Sequence, residues 1–314
     1  MALALVFPGQ GSQDVGMGQA LSEAFPIARD VFAEVDDALG QSLSKLMFDG
    51  PKDELILTEN SQPALMAHSV AVVRVLEREH GFSVASAAYV AGHSLGEYSA
   101  LAAAGALGLA DTARLLKKRG RAMQDAVALG DGAMSAILGL DLGGVEAIAR
   151  EAAQGDVCEI ANDNDPAQIV LSGHKRALDR VPDIAKAHGA RRAVPLPVSA
   201  PFHCSLMQPA ADVMAEALGE VEIKSPVVPL VANVTAAPVT EPDEIRKLLV
   251  SQVVGTVRWR ETAQFLADNQ ITKIVELGTG KVLAGLVRRT HRAFTVASIA
   301  TPDDIAPGLE LLQS

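Results

Sequence analysis

A short run of small residues around Ser94 constrains the fold of this chain more than any other feature. Gly92 and Gly96 flank Ser94 in the pattern G-x-S-x-G, which permits a sharp turn from a strand into a helix and exposes the hydroxyl at a sheet edge. Residues 87–90 are typical of a buried strand, and residues 97–104 of a closely packed helix. The pattern therefore predicts an α/β fold in which Ser94 is a nucleophile and not an ordinary turn serine.

Length and composition indicate a globular chain with a sizeable core. For a chain of 314 residues, we expect one large core and a second, smaller unit. Hydrophobic residues make up 49% of the chain. The sequence contains no unbroken run of about 18 apolar residues, so we predict no membrane-spanning segment. Residues 1–7 lack the basic start of a secretory signal and predict a first strand. With only Cys158 and Cys204 present, we expect a reducing compartment and a cytoplasmic protein.

Charge and glycine spacing argue against nucleic acids and nucleotides as ligands. The chain has 27 basic and 38 acidic side chains, whereas nucleic-acid binding needs a concentrated basic face. The glycine-rich turn at residues 8–13 has Asp14 where a dinucleotide fingerprint needs its third glycine. The turn at residues 278–281 lacks the remaining residues of a P-loop. We expect the first turn to bring its backbone close to a substrate instead.

The order of predicted elements indicates two units. Strands over 133–140, 157–161, 168–172 and 190–196 alternate with helices over 145–153 and 176–188, with a turn at 162–166. This β-α-β-β-α-β order is typical of a ferredoxin-like subdomain. We therefore predict a small ferredoxin-like subdomain at 131–197, inserted into a large, discontinuous α/β domain formed by 1–130 and 198–314.

Outside the inserted unit, several helices and two further strands are predicted. The serine at 61 is expected to cap a helix that runs to about His80, and a helix from Asp111 places Arg119 one turn from apolar neighbours. Further helices are predicted over 209–218, 242–254 and 259–269, and strands over 227–232 and 273–277.

A nucleophilic serine needs a base, and seven histidines are available. His93 precedes Ser94 directly, and because successive side chains on a strand diverge, it is expected to support the turn. His203 lies between two prolines in an irregular stretch at the junction of the two units, where it is either the base or a histidine with a structural role.

Several separated motifs together resemble a known family. They are FPGQGSQ at 7–13, GHSLGE at 92–97, RG at 119–120, Asn162 with Asn164, PFHC at 201–204, Gln252 ahead of VRW at 257–259, and ELG at 276–278. In this order they resemble the malonyl-CoA:acyl carrier protein transacylases, which supply malonyl units to fatty acid synthesis. The resemblance covers nearly the whole chain. It implies an α/β-hydrolase-like core with a parallel sheet and an inserted ferredoxin-like (βαββαβ) subdomain.

The resemblance also implies roles for individual residues. Ser94 would be the acylated nucleophile and His203 its general base, in a dyad without a carboxylate. The backbone N–H groups of Gln10 and Leu95 would form the oxyanion hole, which gives the first glycine-rich turn a purpose.

Three further residues have supporting roles by the same resemblance. Gln252 belongs to the neighbourhood in which main-chain carbonyls orient the histidine, and Asn162 would be a supporting residue of the cleft. Arg119 would bind the free carboxylate of a malonyl group with two parallel hydrogen bonds. Without the resemblance, Arg119 would be interpreted as a surface residue of a basic helix.

The chain departs from the family pattern at a few positions. Phe202 stands where some relatives have a smaller polar residue, and we interpret it as narrowing the pocket against α-branched acyl groups. Thr256 and Thr279 stand where relatives commonly have proline.

The expected activity is transfer of malonyl from malonyl-CoA to the phosphopantetheine thiol of an acyl carrier protein, with no metal or redox cofactor. Alternatives are a serine thioesterase or esterase on a related fold, an acyltransferase that serves polyketide synthesis, and a catalytically silent docking module for carrier proteins.

Overall fold

Two separate sheets organise the protein in the computed structural model, which describes residues 2–313. Met1 and Ser314, the ends of the predicted large domain, lie outside the described residues. The strands are β1 (Ala2–Phe7), β2 (Tyr89–Gly92), β3 (Gly132–Leu138), β4 (Cys158–Asp165), β5 (Gln168–His174), β6 (Arg192–Pro195), β7 (Leu230–Val231), β8 (Pro238–Val239), β9 (Ile271–Leu277) and β10 (Thr295–Ile299).

Helices cover both sheets. They are α1 (Gln19–Ala24), α2 (Pro26–Leu39), α3 (Leu43–Asp49), α4 (Lys52–Leu55), α5 (Thr58–His80), α6 (Leu95–Ala103), α7 (Leu109–Asp125), α8 (Leu142–Ala153), α9 (Lys175–Ala187), α10 (Gln208–Gly219), α11 (Pro242–Val254), α12 (Trp259–Asp268), α13 (Val282–Thr290) and α14 (Pro302–Gln313). None of the helices described combines the length and the apolar character that crossing a membrane requires.

The large sheet has the order β10-β9-β1-β2-β7-β8. All neighbouring strands are parallel except the pair β7 and β8. Strand β1 is central, and its nearly continuous apolar sequence is typical of a strand buried on both faces. Leu5 belongs to the core on one face of the sheet, and Val6 belongs to the core on the other face. Phe7 pairs with Gly92 in register, so the loops that follow β1 and β2 leave the same edge of the sheet.

The small sheet is antiparallel, with the order β4-β5-β3-β6. On one face, Ile137 and Leu171 pack in a core of their own with α8 and α9. On the other face, Met134 and Val170 belong to the main core of the protein. The predicted α/β class is therefore confirmed, with a mainly parallel sheet and a separate antiparallel sheet.

Strand β4 extends through residues 162–165, where the sequence predicted a turn. The strand continues because it pairs with β5 as far as Asp165 and, on its other edge, with the main chain of Val257, whose carbonyl accepts the Asp163 N–H at 3.0 Å. The two buried carboxylates of this segment form ion pairs with arginines of α12 and α13. Asp163 pairs with Arg260 at 2.8 Å, and Asp165 pairs with Arg289 at 2.6 Å. These ion pairs keep a polar sequence inside the protein and connect the two sheets.

Helix α5 begins one turn earlier than predicted, at Thr58 and not after a cap at Ser61. Pro63 lies inside the helix and removes one main-chain hydrogen bond near its start. The N-terminal part of α5 is deeply buried, and tertiary packing there outweighs the local cost. Strands β8 and β10 and helices α1 to α4, α13 and α14 were not predicted from the sequence.

Gly120 lets α7 pack directly on the start of α5. A Cβ atom at Gly120 would lie 2.5 Å from the Thr58 carbonyl oxygen, so the backbone of one of the two helices would have to shift. We expect Gly120→Ala to lower the free energy of unfolding by about 1–3 kcal/mol, as overpacking does. Gly219→Ala, at the end of α10 with nothing within 4 Å of the added atom, is the matched control and should leave stability unchanged or slightly raised. Urea unfolding of both variants checks this, and equal midpoints would contradict it.

Candidate active site

Ser94 occupies a strained turn between β2 and α6. Its backbone angles, φ of 54° and ψ of −110°, lie outside the φ/ψ regions that residues other than glycine favour. The two flanking glycines are required by close packing, because a Cβ atom at Gly92 would overlap the Gly96 carbonyl and one at Gly96 would overlap the Phe7 carbonyl. The predicted strand, tight turn and helix are thus all present, and the turn is pressed against the end of β1.

Asn233, which follows the neighbouring strand β7, holds this turn in place. Its side-chain oxygen accepts the Ser94 N–H at 2.8 Å, and its amide nitrogen donates to the Gly92 carbonyl at 2.6 Å. The residue is 1% exposed. Two hydrogen bonds from a buried amide therefore span the strained turn and stabilise it.

Ser94 and His203 are in direct contact. The Ser94 Oγ lies 2.7 Å from His203 Nε2, and His203 Nδ1 lies 2.9 Å from the main-chain oxygen of Gln252. Because that carbonyl only accepts, it fixes the proton on Nδ1 and leaves the Nε2 lone pair for the serine hydroxyl. The arrangement is a serine–histidine dyad in which a main-chain carbonyl takes the place that a carboxylate has in a triad.

Burial keeps the imidazole of His203 neutral. The side chain is buried, and burial, with the positive charge of Arg119 as a second cause, lowers the pKa of His203 to about 3. A neutral imidazole is the form that accepts a proton from serine.

Arg119 lies completely buried beside the dyad. Its Nη2 donates to Ser94 Oγ at 3.1 Å and to the side-chain oxygen of Gln252 at 2.8 Å, and its Nη1 donates to the side-chain oxygen of Gln62 at 2.8 Å. The guanidinium also lies 5.7 Å from the ring centroid of Tyr98. Its direct partners are neutral, and no ion pair found within residues 2–313 includes it. The interpretation as a surface arginine is wrong.

The two predicted oxyanion donors come from adjoining segments. Leu95 is the first residue of α6, so its N–H has no carbonyl one turn earlier within the helix. Gln10 follows Pro8 and Gly9, and this loop touches the turn: a Cβ atom at Gly9 would lie 2.8 Å from the His93 carbonyl oxygen. The Gln10 side chain donates to Thr58 Oγ1 at 3.4 Å. An oxyanion hole between these two N–H groups stays a prediction.

Two further predicted site residues, Phe202 and Asn162, lie in different parts of the structure. Phe202 is buried and directly precedes His203. Asn162 lies on β4 opposite Val257. Of Asn162 and Asn164, it is Asn164 whose side chain reaches the residue before Ser94: its Oδ1 lies 2.9 Å from His93 Nε2. His93 thus contacts the small sheet, in agreement with a supporting role.

Sequence reasoning missed three polar residues of the site. Gln62 binds Arg119, Asn233 binds the turn, and Glu97 contacts the side chain of Gln252 at 2.6 Å. Asn233 was detectable in principle, because it closely follows β7, and polar residues just beyond the carboxyl ends of parallel strands commonly form sites. The part of the chain that the structure describes contains no cluster of three or more residues able to hold a metal ion.

Comparisons with known proteins agree on one family. The model of the acyl transferase domain matches residues 4–308. The malonyl CoA-acyl carrier protein transacylase of Escherichia coli (strain K12) is 45% identical over 308 residues, covering 98% of this chain and 99% of that protein. The crystal structure of an acyl-carrier-protein-S-malonyltransferase from Bartonella henselae is 52% identical, covers 100% of both chains and has a TM-score of 0.97.

A third relative was solved with a partner. It is a malonyl-transacylase in complex with a type II PKS acyl-carrier protein, 42% identical to this chain, with 99% of both chains covered and a TM-score of 0.95.

The neutral state of His203 predicts an unusual pH profile for the reactivity of Ser94. With the pKa of His203 near 3, the base stays unprotonated far below the ordinary histidine value of about 6.5. We expect the rate of Ser94 labelling by a fluorophosphonate probe to stay flat from about pH 8 to pH 5. Ser94→Ala should give no labelling, and circular dichroism should show the fold intact across the range. A rate that halves near pH 6.5 would contradict the burial argument.

Proposed function

Since the chain belongs to the acyl transferase family that includes the malonyl CoA-acyl carrier protein transacylases, we propose that it is an acyl-carrier-protein S-malonyltransferase of fatty acid biosynthesis. It transfers malonyl from malonyl-CoA to the phosphopantetheine thiol of an acyl carrier protein. The observation that carries this proposal is the position of Ser94 Oγ, which contacts both His203 Nε2 at 2.7 Å and Arg119 Nη2 at 3.1 Å. A nucleophile, its base and a carboxylate-binding cation meet at one atom.

The reaction follows a ping-pong course. His203 Nε2 takes the proton of Ser94 as Oγ attacks the thioester carbonyl, and the N–H groups of Leu95 and Gln10 stabilise the negative oxygen that forms. The carbon–sulfur bond then breaks, and CoA leaves as a thiol with the proton from His203. In the second half, His203 takes the proton of the phosphopantetheine thiol, the thiolate attacks the malonyl-serine ester, and the proton returns to Ser94.

Arg119 selects for a carboxylated acyl group. Before acylation, the Arg119 Nη2 donates a hydrogen bond to Ser94 Oγ. Because an ester oxygen is a poor acceptor, esterification of Ser94 leaves this N–H group available to donate to the malonyl carboxylate. A second hydrogen from Nη1 completes a bidentate pair. An acetyl group has no such partner and leaves the buried charge uncompensated.

Supporting features agree with this function. Gln252 orients His203 through its main-chain oxygen. Phe202 narrows the pocket against α-branched acyl groups. Asn162 supports the cleft through the small sheet. The free, buried thiols of Cys158 and Cys204 favour a cytoplasmic location.

The two-domain organisation also belongs to the proposal. We assign residues 1–130 and 198–314 to an α/β-hydrolase-like domain, and 131–197 to a ferredoxin-like subdomain. The order of the small sheet supports this assignment: numbered within the unit, its strands lie side by side as 2-3-1-4, and all neighbours are antiparallel.

Mass spectrometry of the acylated protein tests the proposed function directly. Mixed with malonyl-CoA, the protein should gain one malonyl group on Ser94, and the adduct should persist in buffer until holo acyl carrier protein is added. Ser94→Ala should gain none. An adduct that decays rapidly in buffer without a thiol would instead indicate a thioesterase or esterase, and carrier binding without any acylation would indicate a docking module.

Substitution of Arg119 tests the selectivity. Loss of a buried charge pair costs about 2–5 kcal/mol, so Arg119→Ala should strongly depress loading from malonyl-CoA and shift the malonyl-to-acetyl ratio toward acetyl. Arg119→Lys should rescue it only in part, because an ammonium cannot form the planar pair. Parallel loading rates with malonyl-CoA and acetyl-CoA give the ratio. An unchanged ratio in Arg119→Ala would remove the anchoring role.

A further inference from the structure

Glu97 is a buried carboxyl group that the reaction steps do not use. It lies in the first turn of α6, three residues after the nucleophile, and is 1% exposed. Its Oε2 accepts the side-chain N–H of Gln252 at 2.6 Å and the main-chain N–H of Asn233 at 3.4 Å. Its Oε1 has no hydrogen-bond partner among the described residues. A buried carboxyl with one unsatisfied oxygen is costly, so its position calls for a reason.

The surroundings of Gln252 admit one orientation of its amide. The nitrogen faces Glu97 Oε2 at 2.6 Å, the Ser94 carbonyl oxygen at 2.9 Å and Asn233 Oδ1 at 3.4 Å. The amide oxygen faces Arg119 Nη2 at 2.8 Å. A rotated amide would place its oxygen against three oxygens and its NH₂ group against a guanidinium donor. Glu97 makes the shortest of these contacts and is the only carboxyl group among them.

The orientation of this amide matters for Arg119 more than for His203. The guanidinium is held by two side-chain amide oxygens, those of Gln252 and Gln62. His203 is held by the main-chain oxygen of Gln252, which does not move when the side-chain amide rotates. A disturbed amide should therefore affect acyl-group selection and leave the base in place.

We propose that Glu97 is a positioning residue for acyl selectivity: through the side chain of Gln252, it holds the Arg119 guanidinium in the geometry that accepts a malonyl carboxylate. The inference rests on the proposed function, because it concerns how the same site distinguishes malonyl from acetyl. Glu97 touches neither the acyl group nor the reacting atoms in this account.

Glu97 acts as a hydrogen-bond acceptor and does not need its charge. Gln252 and Asn233 both present donors to the same oxygen, so a neutral carbonyl oxygen at that point serves equally well. Burial is the main cause that raises the pKa of Glu97 to about 7, and the acid form keeps one such oxygen. Glu97→Gln should therefore preserve the contact, whereas Glu97→Met, of similar length, removes it.

The test compares rates of Ser94 acylation by malonyl-CoA and by acetyl-CoA in the wild type, Glu97→Met and Glu97→Gln, by quenched mass spectrometry. We expect Glu97→Met to lower the malonyl-to-acetyl ratio about tenfold, the scale of one lost hydrogen bond. Its acetyl rate should stay within about threefold of the wild type, and the fluorophosphonate reactivity of Ser94 should be retained. Glu97→Gln should keep the ratio within about threefold.

Glu276→Met is the matched structural control. Glu276 is also fully buried, and its pKa is likewise raised to about 7, mainly by burial. Its oxygens accept the N–H groups of Leu283 and Ala284 at the start of α13, outside the site. This variant should lose thermal stability with no change in the ratio.

Two results would overturn the inference while the proposed function stands. One is a Glu97→Met variant whose two loading rates fall together, as expected for a merely structural role. The other is a Glu97→Gln variant that loses selectivity as fully as Glu97→Met, which would assign the effect to charge. A wild-type protein that never becomes malonylated would overturn the proposed function itself. The wild-type reaction with malonyl-CoA in the same series distinguishes this result from the other two.

Discussion

The hydrogen bonds of Gln252 hold Ser94, His203 and Arg119 together in one cluster. Its main-chain oxygen binds His203, its amide oxygen binds Arg119, and its amide nitrogen binds the carbonyl of Ser94. The three partners come from distant parts of the sequence, and Gln252 itself is fully buried in α11. Because one residue makes all three contacts, a shift of α11 would displace the base and the cation together. The geometry of the site therefore depends on how firmly this helix packs.

Arg119 leaves an electrostatic imbalance in the protein that, in the proposed function, a malonyl group relieves. Its charge is removed from water and meets amides and a hydroxyl, but no carboxylate in direct contact within residues 2–313. Burial of an unpaired charge is costly. The same charge contributes to the lowered pKa of His203. In the proposed function, a malonyl carboxylate supplies the missing partner, and the free energy recovered by pairing it favours malonyl over acyl groups that lack a charge.

The elements that sequence predicted best are those whose cause is local. The turn at Ser94 follows from two glycines between a strand and a helix, and the alternation of strands and helices at 131–197 follows from hydrophobic periodicity. The polar strand at Asp163 and Asp165 was wrongly predicted as a turn because its stabilising cations, Arg260 and Arg289, are distant in sequence. The contacts of Asn233 and Glu97 arise only when β7, α6 and α11 pack together, and no local pattern signals them. The resemblance to the transacylases supplied His203, because residue chemistry alone left its role open.

A crystal structure of the protein after reaction with malonyl-CoA would show whether Arg119 binds the malonyl carboxylate. We expect an ester between the malonyl group and Ser94 Oγ, with the free carboxylate paired side by side to both Nη atoms of Arg119 and with the Gln252 amide in its present orientation. A malonyl carboxylate that points away from Arg119, or an ester on another residue, would contradict it.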